Sequence, residues 1–306
     1  MKKKILVIGW DAAEWGVIKP LMDAGLMPGI KSLIDQGVSG NIKTLEPSFS
    51  PMLWTSIATG KLADKHNILG FLEPNDAGDG VRPISGTSRK VKAVWNILQS
   101  QGYKCNVIGW WPTHPAEPVN GLMLSNQFHK FNNKSEQEWD LPDGAVWPLS
   151  LREEIKKLRV HPAQVAAEKV QLFVPEAHKV DQEKDKRLLT VQKLISETES
   201  VFNASMWALK NTEWDFTAVY FNELDIFSHA FMPFHPPQQN GLPDDLFNIY
   251  YNVLTAAYTM YDVMLQTMLK SIPEDTTVIL LSDHGFFPGT RRKRDLPKFF
   301  KYHITF

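Results

Sequence analysis

The run Thr277-Val278-Ile279-Leu280-Leu281-Ser282 is largely apolar and branched, and it stops abruptly at Asp283-His284-Gly285. A short run of this kind, bounded by turn formers, predicts a strand buried on both faces of a parallel sheet. Open α/β sheets bind their ligands beyond the carboxyl ends of such strands. Asp283 and His284 therefore fall where a site would form. They offer a carboxylate oxygen and an imidazole nitrogen side by side, and both are good ligands for a divalent transition metal. Taken alone, the stretch is equally compatible with an Asp that caps the next helix and an incidental His.

The same arrangement recurs along the chain. Ile5-Leu6-Val7-Ile8-Gly9-Trp10 is a second apolar strand, ended by Asp11. Asn106-Val107-Ile108-Gly109-Trp110-Trp111 is another, and Phe216-Thr217-Ala218-Val219-Tyr220-Phe221 leads into Asn222-Glu223-Leu224-Asp225. Helical patterns separate them over 14–25, 30–36, 90–101, 149–158, 185–209 and 246–269. In the last of these, Ile249, Val253, Ala256, Met260, Val263 and Met264 are expected on one apolar face. Residues 39–45 alternate loosely and suggest a further strand. Strands alternating with helices predict an α/β fold, a doubly wound and mostly parallel central sheet with helices on both faces. From about 115 to 211 the chain turns polar and rich in Lys, Glu and Gln, with Pro142, Pro148 and Pro162 scattered through it. We expect a single domain over 1–306, with this stretch as a helical cap or insert.

In a parallel sheet the strand ends share one edge, so Asp11, Asp225, Asp283 and His284 are expected to converge there. Asp225 and His229 are spaced to share one face of a helix and so to grip one metal. Carboxylates crowded into a cleft repel unless cations neutralise them, which argues for a metal site. Ser50 precedes Pro51, a residue tolerated in a first helical turn, and Gly60 ends the helix predicted over 52–59. Ser50 is either a plain N-cap or a hydroxyl held where a helix dipole favours a transferring anionic group.

These residues carry a resemblance. The chain resembles the alkaline phosphatase superfamily, in particular its type I phosphodiesterase/nucleotide pyrophosphatase branch. The resemblance rests on Asp11, on Ser50-Pro51 through Trp54-Thr55-Ser56 to Thr59-Gly60, on His66, on Asp225 and His229 in D-x-x-x-H spacing, and on Ser282-Asp283-His284-Gly285. It implies a metal-dependent hydrolase of phosphate esters with two divalent cations, zinc or manganese. By position, Asp11, Asp283 and His284 would hold one metal that also touches Ser50, the expected nucleophile, and Asp225 and His229 would hold the other. The second metal in this family takes a further His downstream. Here His303 is the remaining His, in a context that does not match, and the C-terminal end of the family fold is expected to be missing. Leu53 stands where the pyrophosphatase branch carries an Asn that contacts the phosphoryl group, which favours a generic phosphoesterase.

Other readings compete. The same residues suit a regulatory binding protein that retains the fold, or a sulfatase or phosphomutase relative. The sulfatase pattern needs an Arg near the nucleophile, and none is present. The chain lacks the Gly-x-Ser-x-Gly elbow of α/β-hydrolases and the Gly-x-Gly-x-x-Gly of dinucleotide binders. A net charge of -1 gives no reason to expect a nucleic acid polymer or an anionic membrane as partner. A small phosphate ester is the expected ligand. The apolar run behind Lys2-Lys3-Lys4 is too short for a signal core, and no segment suits a bilayer, so a cytoplasmic location is expected. The one cysteine, Cys105, excludes an internal disulfide and a cysteine zinc cluster and is expected to be a buried apolar residue. His66 is expected to brace the Ser50 helix, and His114 and His235 to be loop residues. Trp10, Trp54, Trp110 and Trp111 are expected to pack the core. Arg291-Arg292-Lys293-Arg294 reads as a solvated basic loop.

Overall fold

The computed structural model describes residues 3–287. In chain order the elements are β1 (Ile5–Trp10), α1 (Trp15–Asp23), α2 (Pro28–Gln36), α3 (Ser50–Thr59), α4 (Ala63–His66), β2 (Leu72–Pro74), β3 (Val81–Pro83), α5 (Val94–Ser100), β4 (Cys105–Ile108), β5 (Gly121–Leu124), β6 (Val146–Trp147), α6 (Arg152–Lys156), α7 (Ala167–Phe173), α8 (Arg187–Asn211), β7 (Phe216–Phe221), α9 (Glu223–Phe231), α10 (Asp244–Tyr250), α11 (Val253–Leu269) and β8 (Thr277–Leu281). Among the described residues the main sheet runs β6-β5-β4-β7-β1-β8, and β2 and β3 form a separate hairpin. β1 pairs in parallel with both β7 and β8, β4 pairs in parallel with β7 and β5, and only β6 runs antiparallel. The carboxyl ends of β1, β4, β5, β7 and β8 thus lie along one edge. The fold is the α/β sheet with surrounding helices that the strand-helix alternation predicts.

β1 is buried on both faces because helices cover both. Leu6, Ile8 and Trp10 join the cluster built with α1, α8, α9 and α11, while Val7 joins the opposite cluster around Trp54, Trp95 and Trp110. This is the period of two expected along a strand. The helix α3 lies close on the second face. A Cβ at Gly9 would stand 2.6 Å from the Trp54 ring, so the strand needs glycine there for the helix to approach. Trp54 packs edge-on to Trp110 at 5.2 Å and against Tyr220 at 4.7 Å, and the Trp110 indole N–H donates to the Trp54 carbonyl at 3.2 Å. Gly60 ends α3 in the left-handed conformation, at φ 63°.

Several expectations are corrected. β8 is an edge strand of the described sheet, with Ile279 44% exposed, so branched composition here reflects pairing with β1 rather than cover on both faces. Residues 39–45 form no strand. They run irregular and mostly exposed ahead of α3. The helix expected over 246–269 is broken into α10 and α11 at Tyr251-Asn252, where the Asn252 amide donates to the Leu172 carbonyl of α7. The buried face of α11 carries Tyr258, Tyr261, Asp262 and Leu265, and Val263 is 55% exposed. Asp262 is inside because it accepts from the Gly29 and Ile30 amides at the start of α2, a partner that periodicity does not reveal. Within 115–211, β5 and β6 extend the main sheet, and α8 packs on it through Val201, Ala204 and Ala208. No helix of the described residues is long and apolar enough to cross a membrane.

Candidate active site

Three strand ends and one helix start meet at the carboxyl edge. Asp11 follows β1, Asp225 lies in the first turn of α9 just past β7, Asp283 and His284 follow β8, and Ser50 opens α3. Asp11 is 2% exposed, Asp283 3% and Ser50 7%. The Ser50 hydroxyl donates to Asp11 Oδ1 at 3.4 Å and lies 3.4 Å from His284 Nε2. His284 Nε2 is 3.5 Å from Asp11 Oδ1 and 3.6 Å from Asp283 Oδ2. Ligand atoms of Asp11, Asp225 and His284 all lie within 4.8 Å of one another.

The Ser50 hydroxyl caps nothing. Ser50 is the first residue inside the helix, the cap position falls to Phe49, and no side chain caps the turn. Its Oγ is turned to the acids instead. A residue at the start of a ten-residue helix sits in the positive end of the dipole, where an anionic group is favoured.

The electrostatics are those of crowded, dry acids. Burial, followed by the charge of Asp283, drives the Asp11 carboxyl well above its ordinary range. Burial, then Asp11, pushes Asp225 up to about 7. Burial also pushes Asp283 up to about 6. Asp225 Oδ1 and Asp283 Oδ2 are buried yet accept no hydrogen bond, although imidazole nitrogens of His229 and His284 lie 3.4 and 3.6 Å from them. Buried acceptors of this kind normally have a partner. Converging carboxylate and imidazole groups with oxygens short of a hydrogen bond fit a divalent cation.

These clustered groups are held from behind. Tyr220, on β7, donates a hydrogen bond from its hydroxyl to Asp11 Oδ2. The Ala12 amide donates to Asp283 Oδ1 at 3.3 Å, and the Ala13 amide to the Ser282 hydroxyl at 2.9 Å. Ser282 in turn donates to the His284 carbonyl at 2.8 Å. His284 Nδ1 lies 2.9 Å from the Gly285 carbonyl, which turns Nε2 toward Ser50. Glu14 closes the turn, accepting from the Phe286 amide at 3.0 Å and from the Gly16 amide at 2.7 Å. A Cβ at Gly285 would run into the Glu14 carboxylate. Behind α3, buried His66 places Nε2 2.9 Å from the Ser56 hydroxyl, so it braces the Ser50 helix from nearly two turns further along.

Of the residues singled out from sequence, the structure brings together Asp11, Ser50, Asp225, Asp283 and His284. It groups Asp225 with Asp11 and His284. His229 lies one turn beyond Asp225, 59% exposed, with its ring edge-on to Phe286 at 4.8 Å. His114 Nδ1 lies 3.0 Å from the Ser125 hydroxyl, and His235 follows a 3-10 turn after α9. Cys105 is buried, and burial pushes its thiol up to about 11. Arg291, Arg292, Lys293, Arg294 and His303 lie outside the described residues. Tyr220 and Glu14 carry no signal in the sequence, since a Tyr inside an apolar strand and a Glu at a helix start look ordinary.

A parallel sheet whose strand ends deliver buried acids to a helix-borne hydroxyl defines an alkaline phosphatase-like α/β protein. The chain belongs to the type I phosphodiesterase / nucleotide pyrophosphatase family, whose profile matches residues 5–301. Among solved structures it is similar to phosphonoacetate hydrolase from Sinorhizobium meliloti 1021 in complex with phosphonoformate, at a TM-score of 0.52 and 16% identity. That match covers 93% of this chain and 56% of the other. It is also similar to murine ectonucleotide pyrophosphatase / phosphodiesterase 5 in complex with AMP, at a TM-score of 0.49 and 12% identity, covering 92% of this chain and 57% of that one. The chain thus spans little more than half the length of these proteins, and the likeness is one of fold. No curated protein matches the chain in sequence.

Proposed function

We propose that the chain is a metal-dependent phosphoester hydrolase with Ser50 as nucleophile. The observation that carries this reading is the Ser50 hydroxyl, 3.4 Å from both Asp11 Oδ1 and His284 Nε2 at the start of α3, beside carboxylates that burial leaves short of partners. Asp11, Asp283 and His284 would hold one divalent cation, and Asp225 and His229 a second, zinc or manganese in each case. Such cations supply charge neutralisation at the phosphoryl group and ease ionisation of the attacking hydroxyl.

The chain's own groups divide the rest of the work. Ser50 Oγ attacks phosphorus as the bond to the ester oxygen breaks in line, and the departing alkoxide takes up a proton from solvent. Asp11 Oδ1 is within reach of the hydroxyl proton that Ser50 loses. The start of α3 favours the charge on the transferring group. Water then displaces Ser50 from phosphorus and returns the free hydroxyl. The substrate is a small phosphate mono- or diester. The bound phosphonate in the structure of the bacterial relative supports a compact phosphoryl ligand. A single cysteine with a protected thiol suits a reducing compartment, which supports a cytoplasmic location.

The test combines elemental analysis of the purified protein with turnover of chromogenic mono- and diesters. The expected result is bound zinc or manganese and metal-dependent hydrolysis that Ser50→Ala abolishes. Full turnover by Ser50→Ala overturns the assignment. Metal binding without turnover of any ester favours a binding protein on the same fold.

A further inference from the structure

Next to the acidic cluster two buried carboxylates, with no part in the chemistry above, meet a half-buried ammonium. Lys130, in the loop after β5, places its ammonium 2.7 Å from Asn222 Oδ1, 2.9 Å from Glu223 Oε1 and 3.3 Å from Glu197 Oε2. Glu223 has no exposed surface and Glu197 has 1%. His129 Nε2 adds a contact to Glu223 Oε1 at 3.0 Å, and the Phe131 amide donates to Glu197 Oε1 at 2.8 Å. Glu197 belongs to α8, so the long helix anchors the loop, and the loop delivers the ammonium.

What the ammonium grips is the joint between β7 and α9. Asn222 occupies the cap position of α9, but it is already helical, at φ -92° and ψ -10°, and its side chain caps nothing. Its oxygen is committed to Lys130. The first turn of α9 is therefore fixed from outside, and that same turn carries Asp225 toward Asp11 and His284.

We propose that Lys130 is a positioning residue for Asp225: by holding Asn222 and Glu223 it sets the direction in which α9 leaves β7, and with it the aim of the Asp225 carboxylate. The inference rests on the reading that Asp225 holds a metal. Groups that orient metal ligands from behind typically change metal affinity about 10–100-fold when removed.

The experiment measures binding of Zn2+ and Mn2+ to the full chain by calorimetry, alongside thermal melts without metal. Lys130→Met alone would strand two buried carboxylates, so the main variant is Lys130→Met with Glu223→Gln, which leaves the net charge unchanged and leaves Glu197 its hydrogen bond from the Phe131 amide. Its expected result is metal affinity lowered about 10-fold or more, with a metal-free melt close to wild type and partial rescue in Lys130→Arg. Unchanged affinity with a lowered melt shows that the cluster only stabilises the fold and overturns the proposal. If the double variant does not fold, Asn222→Ala carries the test. It removes one arm of the grip without unbalancing charge, and unchanged metal affinity there overturns the proposal as well. Asp225→Asn separates the two levels. If it binds metal as wild type does, the assignment of Asp225 itself falls. If it loses metal while the Lys130 variants do not, only the positioning role falls.

Discussion

The Tyr220 hydroxyl donates to Oδ2 of Asp11, leaving Oδ1 of the same carboxylate to face Ser50 and His284. The two oxygens of one side chain are thereby given different work. The partners are 209 residues apart in sequence, yet their strands are neighbours, with Trp10 opposite Phe221 in the ladder. Tyr220→Phe keeps the ring against Trp54 and removes only this bond. We predict metal affinity lowered about 10-fold or more with the melt little changed, measured by competition with a chromogenic chelator.

With Ser50 as the proposed nucleophile, Ser50→Ala is predicted to lower kcat about 1,000-fold or more while metal content stays at the wild-type level. Steady-state kinetics with a chromogenic diester, paired with elemental analysis, checks both halves. A variant that lost metal together with turnover would show Ser50 acting chiefly as a ligand.

Stability of the metal-free protein should fall as pH rises between about 4 and about 7 on account of the raised acids. Burial holds Asp225 at about 7 and Asp283 at about 6. In that window the folded state keeps protons that the unfolded chain has already lost, so the stability present below the ordinary carboxylate range is lost as pH climbs through the folded values. Asp225→Asn cannot ionise and should show a flatter profile. Melts in chelator across this range, wild type against variant, decide it, and parallel profiles would refute the prediction. Metal affinity should run the other way, rising across the same window as protons leave the ligands.

Gly9→Ala is predicted to destabilise by about 1–3 kcal/mol, since the added methyl forces Trp54 and α3 away from β1. Chemical denaturation measures the loss. A wild-type midpoint would mean that the ring shifts without cost.

The parts of the site visible in the sequence are those that sit at the ends of apolar runs. Asp11, Asp225, Asp283 and His284 each follow a strand whose composition is unambiguous, and parallel pairing alone brings strand ends together. Ser50 is visible because Pro51 and Gly60 bracket a helix. What stays hidden depends on neighbours. Tyr220 reads as one more apolar strand residue until β7 lies beside β1. Asp262 reads as a solvent-facing acid on α11 until α2 offers it two amides. β5 and β6 are short and lie in a polar stretch, so their place in the sheet is set by pairing with β4 and with each other rather than by a local signal. The break between α10 and α11 is likewise marked by no proline or glycine; there the Asn252 amide donates to the Leu172 carbonyl of α7.

β1 lies between β7 and β8, and the turn after it is tied to Asp283 by a bond spanning 271 residues. During synthesis this strand leaves the ribosome long before either neighbour exists. Its apolar residues must then be shielded by chaperones or by passing collapse until the distant strands arrive. A metal-binding signal would therefore appear only once β8 has joined the sheet, making it a reporter of that late pairing that a refolding or translation-arrest experiment can read.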